Sequence, residues 1–382
     1  MEQPQVSGSR DALLVFADVI ESSKFSAVLD YETYAKRLVK FQELFRTLGR
    51  LYFPKPRDPT QDYVDVTVRG DEGTVFALQG DETPGELVFR AIEFLFHLKA
   101  CLRYDTEGGE DQAKSPVRFG LGGGVHFGRV AYMTKIKDQH SVVSGIEGFE
   151  INFAKRVESS SRIGKYSQVM LSREAFRLVE GEPAVFSRVL APMRGVAEET
   201  EVYEVQAGLF SGLKLRKDDE KDERLIRRVG ELCDTPGEID EPWVKSAIVS
   251  VLDVLLARSP VPARQAEYRD RQLRLAWHSS IEDDPILLYL RARDFGEKKE
   301  FTQQLRYLRA LAEAHPEFAH VRKRMVEACW KIARSNPERS ELVFARDMAK
   351  EMLEHFPGLL SRRDKKEFRK VIERTKAKTA NG

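Results

Sequence analysis

Two aspartates in this chain close apolar runs. Asp18 ends Leu13-Leu14-Val15-Phe16-Ala17-Asp18, and Asp71 follows Asp65-Val66-Thr67-Val68-Arg69-Gly70. Far downstream, Asn152 and Arg156 stand four residues apart in Gly148-Phe149-Glu150-Ile151-Asn152-Phe153-Ala154-Lys155-Arg156. That spacing puts both side chains on one helix face. Carboxylates at strand ends suit hard divalent cations, which take one or two such ligands together with substrate phosphates. Two cations held this way activate an attacking oxygen and stabilise a leaving one. An amide and a guanidinium side by side can donate to charge that develops in a transition state. Each residue alone also has a structural reading, as a helix cap or a solvated side chain. Together they are the parts for metal-assisted chemistry on a nucleoside triphosphate.

The elements that must position them are legible from periodicity. Residues 13–17 read as a short buried strand. Val19-Ile20-Glu21-Ser22-Ser23 then leads into a helix whose start, with Ser22 and Ser23, could meet phosphate. Residues 31–51 repeat Leu38, Phe41, Leu44, Phe45, Leu48 and Leu51 at helical spacing, and Pro54, Pro56 and Pro59 stop them. Residues 62–69 alternate Val64, Val66 and Val68 against Asp65, Thr67 and Arg69. A turn at 70–73 leads to a second strand at 74–78, a hairpin. A helix at 87–102, a polar loop at 107–114, a glycine-broken strand at 117–132, a helix at 151–160 and strands at 168–171, 186–190 and 201–205 follow. Glycines inside the strand mark close backbone approach. Interleaved helices and strands with both hairpins and crossovers predict an α+β mixed sheet with flanking helices.

The domain expectation is a flexible N-terminus at 1–10, the α+β domain at 11–207, a charged linker at 208–228 and an all-α C-terminal domain at 229–382. Helices are expected at 247–256, 287–292, 301–314, 320–334 and 342–355, with a basic tail at 362–378. Similar stops after Ala314 and His355 hint at tetratricopeptide-like hairpins, though the period is longer than that repeat's.

Composition excludes several classes. The formal net charge is +1 across 382 residues, so no strong field attracts nucleic acid or anionic membrane. The cysteines, Cys101, Cys233 and Cys329, are scattered and fit neither a disulfide framework nor a zinc pattern. No apolar stretch is long enough to span a bilayer, and residues 1–10 are polar. A cytoplasmic protein with no membrane span and no nucleic-acid partner is expected.

With those residues in view, the stretch 10–207 resembles the catalytic domain of class III nucleotidyl cyclases, the adenylate and guanylate cyclase family. Phe16-Ala17-Asp18-Val19-Ile20-Glu21-Ser22-Ser23 resembles its first metal motif, and Gly70-Asp71 its second. Gly124-Val125-His126-Phe127-Gly128-Arg129-Val130 resembles its glycine-histidine strand, and Gly148 to Arg156 its Gly-x-x-x-Asn-x-x-x-Arg helix. Arg194-Gly195-Val196 and Val202-Tyr203-Glu204-Val205 resemble the closing strand pair. The resemblance implies that Asp18, the Val19 carbonyl and Asp71 hold two Mg²⁺ or Mn²⁺ ions. It implies that Asn152 orients the ribose, that Arg156 stabilises the pentavalent phosphate, and that Phe16, Ser22, Ser23, Arg129 and Arg194 contact the triphosphate. It further implies a homodimer whose sites lie at the interface. Glu21 stands where the family commonly has glycine.

The family's base readers are missing. The positions that carry Lys and Asp in adenylate cyclases, and Glu and Cys in guanylate cyclases, hold Thr67 and Gly145 here. Discrimination by hydrogen bonding depends on such groups. One reading is a pyrimidine cyclase, UTP favoured over CTP. This chain is similar in plan to the pyrimidine cyclases of bacterial Pycsar anti-phage systems, with a C-terminal helical part that would sense an unknown ligand or protein. Tyr52, Phe53 or Tyr63 would then fill space a purine needs. A second reading is an adenylate or guanylate cyclase using Asp65 or Arg69 instead. A third is an inactive cyclase-like module for nucleotide binding and dimerisation.

Overall fold

The computed structural model describes residues 5–56, 58, 60, 62–104, 120–137, 140–193, 199–216, 220–234, 239, 242–278, 284–316, 318–335, 339–355, 360 and 362–380. In chain order, the first elements are β1 (Gln5–Ile20), α1 (Ser22–Val28), α2 (Tyr31–Tyr52), β2 (Val64–Arg69), β3 (Glu72–Leu78), α3 (Pro84–Tyr104), β4 (Gly120–Lys137), β5 (His140–Glu147), α4 (Phe149–Ser159), β6 (Val169–Ser172), α5 (Arg173–Val179), β7 (Ala184–Ala191) and β8 (Thr200–Gly208). The strands form one sheet in the order β2-β3-β1-β4-β6-β8-β7, with β5 paired to β4. The β4–β6 pairing is parallel and the β1–β3, β1–β4, β2–β3, β4–β5 and β6–β8 pairings are antiparallel, so the sheet is mixed.

Side chains alternate between the two faces of a strand. Leu13, Leu14 and Val15 are nevertheless all fully buried, so β1 is an inner strand covered on both faces. It also reaches further back than residues 13–17. Residues 5–10, read from sequence as a flexible N-terminus, are paired along β4, from Gln5 opposite Thr134 to Arg10 opposite Val130. A strand as long as β4 supplies backbone partners for them that the local composition does not reveal.

The hairpin between β2 and β3 closes on two residues, Gly70 and Asp71, since Arg69 pairs with Glu72. Gly70 has φ +62°. A two-residue hairpin turn needs a positive φ at its first central position, which glycine adopts without steric cost. The Asp71 carboxylate is therefore fixed at the tip by turn geometry.

Helix α4 is anchored through both core clusters. Ala154 packs with Leu14, Phe16 and Val130, and Val157 with Met170 and Val202. The strand beneath has to come close. A Cβ on Gly124 would lie 2.3 Å from the Glu158 backbone nitrogen, so no other residue fits there. The buried His126 pins the helix start, with Nε2 2.7 Å from Glu150 Oε2 and Nδ1 2.8 Å from Ser172 Oγ.

Then come α6 (Glu220–Asp234), α7 (Pro242–Arg258), α8 (Pro262–His278), α9 (Pro285–Glu297), α10 (Phe301–Ala314), α11 (Ala319–Ser335), α12 (Arg339–His355) and α13 (Arg362–Ala380). From α7 onward each helix packs against the next. The reading from sequence omitted α8, whose mostly charged and polar residues give a weak apolar stripe. Asp284 caps α9, accepting from the Ile286 and Leu287 amides at 3.1 and 3.2 Å, and Pro285 starts the helix.

The chain divides into two compact units. One comprises residues 1–179, 187–205 and 211–229, and the other residues 180–186, 206–210 and 230–382. The first does not end at 207, and the stretch read as a charged linker is packed. Leu213, Leu215, Leu225 and Asp222 are all buried. The Lys214 amide donates to Tyr52 Oη at 3.0 Å, the Gly212 amide to Glu93 Oε1 at 2.7 Å, and the Arg216 amide to Asp222 Oδ2 at 2.6 Å. The apolar residues spaced through the charge run hold it down. The polar loop expected at 107–114 lies outside the described residues.

Candidate active site

Asp18 lies near the end of β1, directly opposite Glu72 on β3. Residues facing each other in antiparallel strands project their side chains to the same face, so these two carboxylates share a surface. The Val19 amide donates to the Asp71 carbonyl oxygen at 3.1 Å, which ties the β2–β3 turn against the end of β1. Asp71 and Glu72 both act on the Asp18 carboxyl. The two aspartates singled out in the sequence are thus brought together.

Residues that the sequence reading missed complete the cluster. Lys155 on α4 inserts its ammonium between Glu72, with which it makes a short hydrogen bond, and Glu158, whose Oε2 lies 2.9 Å away. It also rests 5.7 Å from the centre of the Phe16 ring. Arg162 lies 3.3 Å from Asp18 Oδ2. The available signal was the Lys155–Glu158 spacing of three, which places an acid and a base on the same side of the helix that carries Asn152 and Arg156.

Burial pushes the Asp18 carboxyl above its ordinary value; Asp71 and Glu72 add to the rise, while Lys155 and Arg162 pull against it. Burial likewise raises Glu158, against the pull of Lys155. For Lys155, burial works against the charged form, but hydrogen bonds and charge from Glu72 and Glu158 outweigh it and hold the ammonium above its usual value. Crowded carboxylates of this kind repel one another, and bound positive charge relieves them. The donor set is oxygen throughout. Such a set suits Mg²⁺ or Mn²⁺, which Asp18 and Asp71 would hold.

Asn152 and Arg156 lie one turn apart on the same helix, Asn152 three residues before Lys155. Asn152 is exposed and Arg156 half-buried. Among the described residues the Arg156 guanidinium forms no ion pair. One helix therefore carries Lys155 and Glu158, paired within this chain, together with the amide and the guanidinium.

The remaining candidates are dispersed. The Ser22 hydroxyl donates to Asp71 Oδ2 in a short hydrogen bond, so it supports the acid. Ser23 is exposed at the start of α1. Glu21 has φ +59°, the region that favours glycine, and its carboxylate is drawn to Lys24 at 2.5 Å. Phe16 is a core side chain, 6% exposed, with its ring 5.5 Å from that of Phe76. Arg129 is exposed on β4, and Arg194 lies outside the described residues. Thr67 donates to Asp65 Oδ2 at 2.9 Å, both half-buried on β2. Gly145 on β5 faces Met133.

Tyr52 is not part of any base pocket. It is fully buried, with Oη 3.1 Å from His97 Nδ1 and accepting from the Lys214 amide. Phe53 is buried with it against Phe94. Tyr63 is half-buried, packed on the cluster around Phe16, and burial raises its hydroxyl to about 12. Large aromatics beside a helix end gain more from the core than from exposure.

A second group with metal-ligating atoms, His97, Cys101 and Asp222, has those atoms within 4.8 Å of one another. Its hydrogen bonds close without an ion. Tyr52 Oη–H reaches His97 Nδ1, and His97 Nε2–H reaches Asp222 Oδ1 at 3.1 Å. This network ties Lys214 and Asp222 to Tyr52 and to His97 on α3.

No protein-family model and no curated protein matches the chain. Solved structures similar to it include the adenylyl cyclase CyaB from P. aeruginosa, at 17% identity, 53% coverage of this chain, 96% of that one and a TM-score of 0.40. The guanylate cyclase domain of RhGC from Catenaria anguillulae in complex with GTP is similar at 17% identity, covering 53% of this chain and all of that one, TM-score 0.38. The guanylyl cyclase Cya2 is similar at 16% identity, covering 53% and 95%, TM-score 0.39. Among the described residues no helix is long and apolar enough to cross a membrane.

Proposed function

We propose that this chain is a nucleotidyl cyclase. The observation that carries the reading is the meeting of Asp18 and Asp71 at one end of the sheet, through the Val19–Asp71 backbone bond. The reaction joins the ribose O3′ to the α-phosphorus of a nucleoside triphosphate. It breaks the bond from that phosphorus to the bridging oxygen, releases pyrophosphate and loses the 3′-hydroxyl proton to solvent. Divalent cations bound at the acids supply Lewis-acid activation and charge neutralisation. The chain's own work is positional. Asp18 and Asp71 fix the cations; Ser22 and the Gly70 turn hold Asp71 in place. Asn152 orients the ribose, and Arg156 donates to the α-phosphate oxygens as their charge grows. Both would come from the facing protomer of a homodimer, as the cyclase resemblance implies. Two equivalent sites follow from a two-fold interface.

The substrate we assign is a pyrimidine triphosphate, UTP ahead of CTP. Thr67 is committed to Asp65, and Gly145 has no side chain, so neither position offers a charged purine reader. Between the two pyrimidines, a carboxylate at Asp65 accepts only, so it suits uracil, whose N3 carries a hydrogen, over cytosine, whose N3 does not. The cyclic pyrimidine nucleotide would then serve as a second messenger, in anti-phage defence by the Pycsar resemblance. Purified protein is incubated with Mn²⁺ and each of the four triphosphates, and products are separated by chromatography. Cyclic UMP as main product supports the assignment. Cyclic AMP or GMP overturns the base assignment alone, and absence of any cyclic product overturns the cyclase reading in favour of an inactive module.

A further inference from the structure

Lys155 has no counterpart among the side chains that such a reaction requires, yet it occupies the middle of the acid cluster. Its ammonium contacts Glu72 and lies 2.9 Å from Glu158. It is also the strongest attractive charge on Asp18, ahead of Arg162. The side chain is about one third exposed and lies over the Phe16 ring, so its reach is set by packing on both sides.

Charge balance gives this position a consequence. Asp18, Asp71, Glu72 and Glu158 are four carboxylates; Lys155 brings one positive charge held among them, and Arg162 a second that is largely exposed. With both in place two negative charges remain, and with Arg162 turned to solvent three, so one divalent cation offsets most of what is left. Without Lys155 the same acids would leave enough negative charge to draw in more. A positive charge held a few ångströms from a metal ligand opposes a dication strongly, because the site is partly removed from water. Arg162 differs: its side chain is 61% exposed, so it can swing into solvent when Asp18 takes a ligand. Lys155 cannot leave without stranding the buried Glu158 carboxylate, which costs far more than losing a surface pair.

We infer that Lys155 is a resident cation of this site, standing in for one divalent ion, so that the nucleotide-free protein loads a single Mn²⁺ per protomer. Lys155 is a positioning residue in this role and touches no substrate. The inference rests on the metal reading of Asp18 and Asp71.

The test counts bound Mn²⁺ on the full chain without nucleotide, by electron paramagnetic resonance of the free ion and by calorimetry. The variants are Lys155→Met, Lys155→Arg and Asp71→Asn, each checked for its melting temperature. One ion is expected for the wild type and for Lys155→Arg. Lys155→Met is expected to bind a second ion, or to bind the first at least tenfold more tightly. Two ions in the wild type overturn the inference even if Lys155→Met does not fold. So does a folded Lys155→Met with unchanged count and affinity. Absence of saturable Mn²⁺ binding in the wild type, or binding that Asp71→Asn leaves intact, overturns the metal reading beneath it.

Discussion

The Val19 amide and the Asp71 carbonyl oxygen are 3.1 Å apart, and this bond carries the β1–β3 pairing, which runs to Asp18 opposite Glu72, on to the tip of the β2–β3 hairpin. Two carboxylates separated by more than fifty residues are placed by backbone geometry alone. Their side chains need no direct contact for this. The flanking bonds add direction: Ser22 donates to Asp71, and Arg162 lies against Asp18.

Asp71→Ala should remove activity and spare the fold. The residue sits in a two-residue turn whose shape is set by Gly70, and its backbone bond to Val19 survives the substitution. Far-ultraviolet circular dichroism and the melting temperature are expected to match the wild type, with cyclic nucleotide below detection. A variant with full turnover would remove Asp71 from the metal site.

Arg156→Ala should lower turnover by about a hundredfold or more, the size seen when one transition-state donor is removed. A site shared between two protomers allows a sharper experiment. Asp71→Ala and Arg156→Ala proteins, each inactive, are mixed and allowed to exchange subunits. Random pairing restores about one quarter of wild-type activity, because half the dimers carry one intact site of two. No recovery after demonstrated exchange would place the acids and Arg156 of a single chain in the same site.

Tyr52→Phe tests the core network. The Lys214 amide loses its acceptor and His97 loses a partner. Leaving a buried donor unsatisfied costs about 1–3 kcal/mol, which urea unfolding resolves. Product specificity should stay the same, since Tyr52 is in the core; a changed base preference would return it to the pocket.

His320 predicts an acid-sensitive helical unit. Burial pulls its ring down to about 3 from the ordinary value of 6.5. Its Nδ1–H donates to the Gly181 carbonyl at 3.2 Å, and its Nε2 accepts from Tyr289 Oη–H at 3.0 Å. Below pH 6.5 the unfolded chain takes up a proton that the folded chain refuses. Stability contributed by the neutral ring is therefore complete above that pH and falls as the pH drops toward 3, by about 1.4 kcal/mol per pH unit. Urea unfolding at pH 6.5 and 4.5 should show His320→Gln losing about 2–3 kcal/mol less than the wild type over that interval. Equal losses would mean that His320 is protonated in the folded state.

Local pattern carried the strand and helix assignments. The alternation at 62–69 gave β2, the apolar stripe of 31–51 gave α2, and the residues of 301–314 matched α10. Asp18, Asp71, Asn152 and Arg156 were visible because each stands at the end of an apolar run or at a helical spacing. Tyr52 was misplaced because a tyrosine near a helix end reads the same whether its ring faces solvent or core. The charged run after β8 was taken for a linker because composition does not register a few buried leucines and one buried aspartate.

The sequence by itself determined most of the strands and helices and which side chains have the chemistry of a metal and phosphate site. Tertiary structure alone decided that Lys155, Glu72, Glu158 and Arg162 gather around Asp18. The physical reason is that periodicity records the face a residue takes on its own element. Which other element lies across from that face depends on strand register and on close approaches, such as that of Gly124 to α4, and these are settled only when the whole sheet packs.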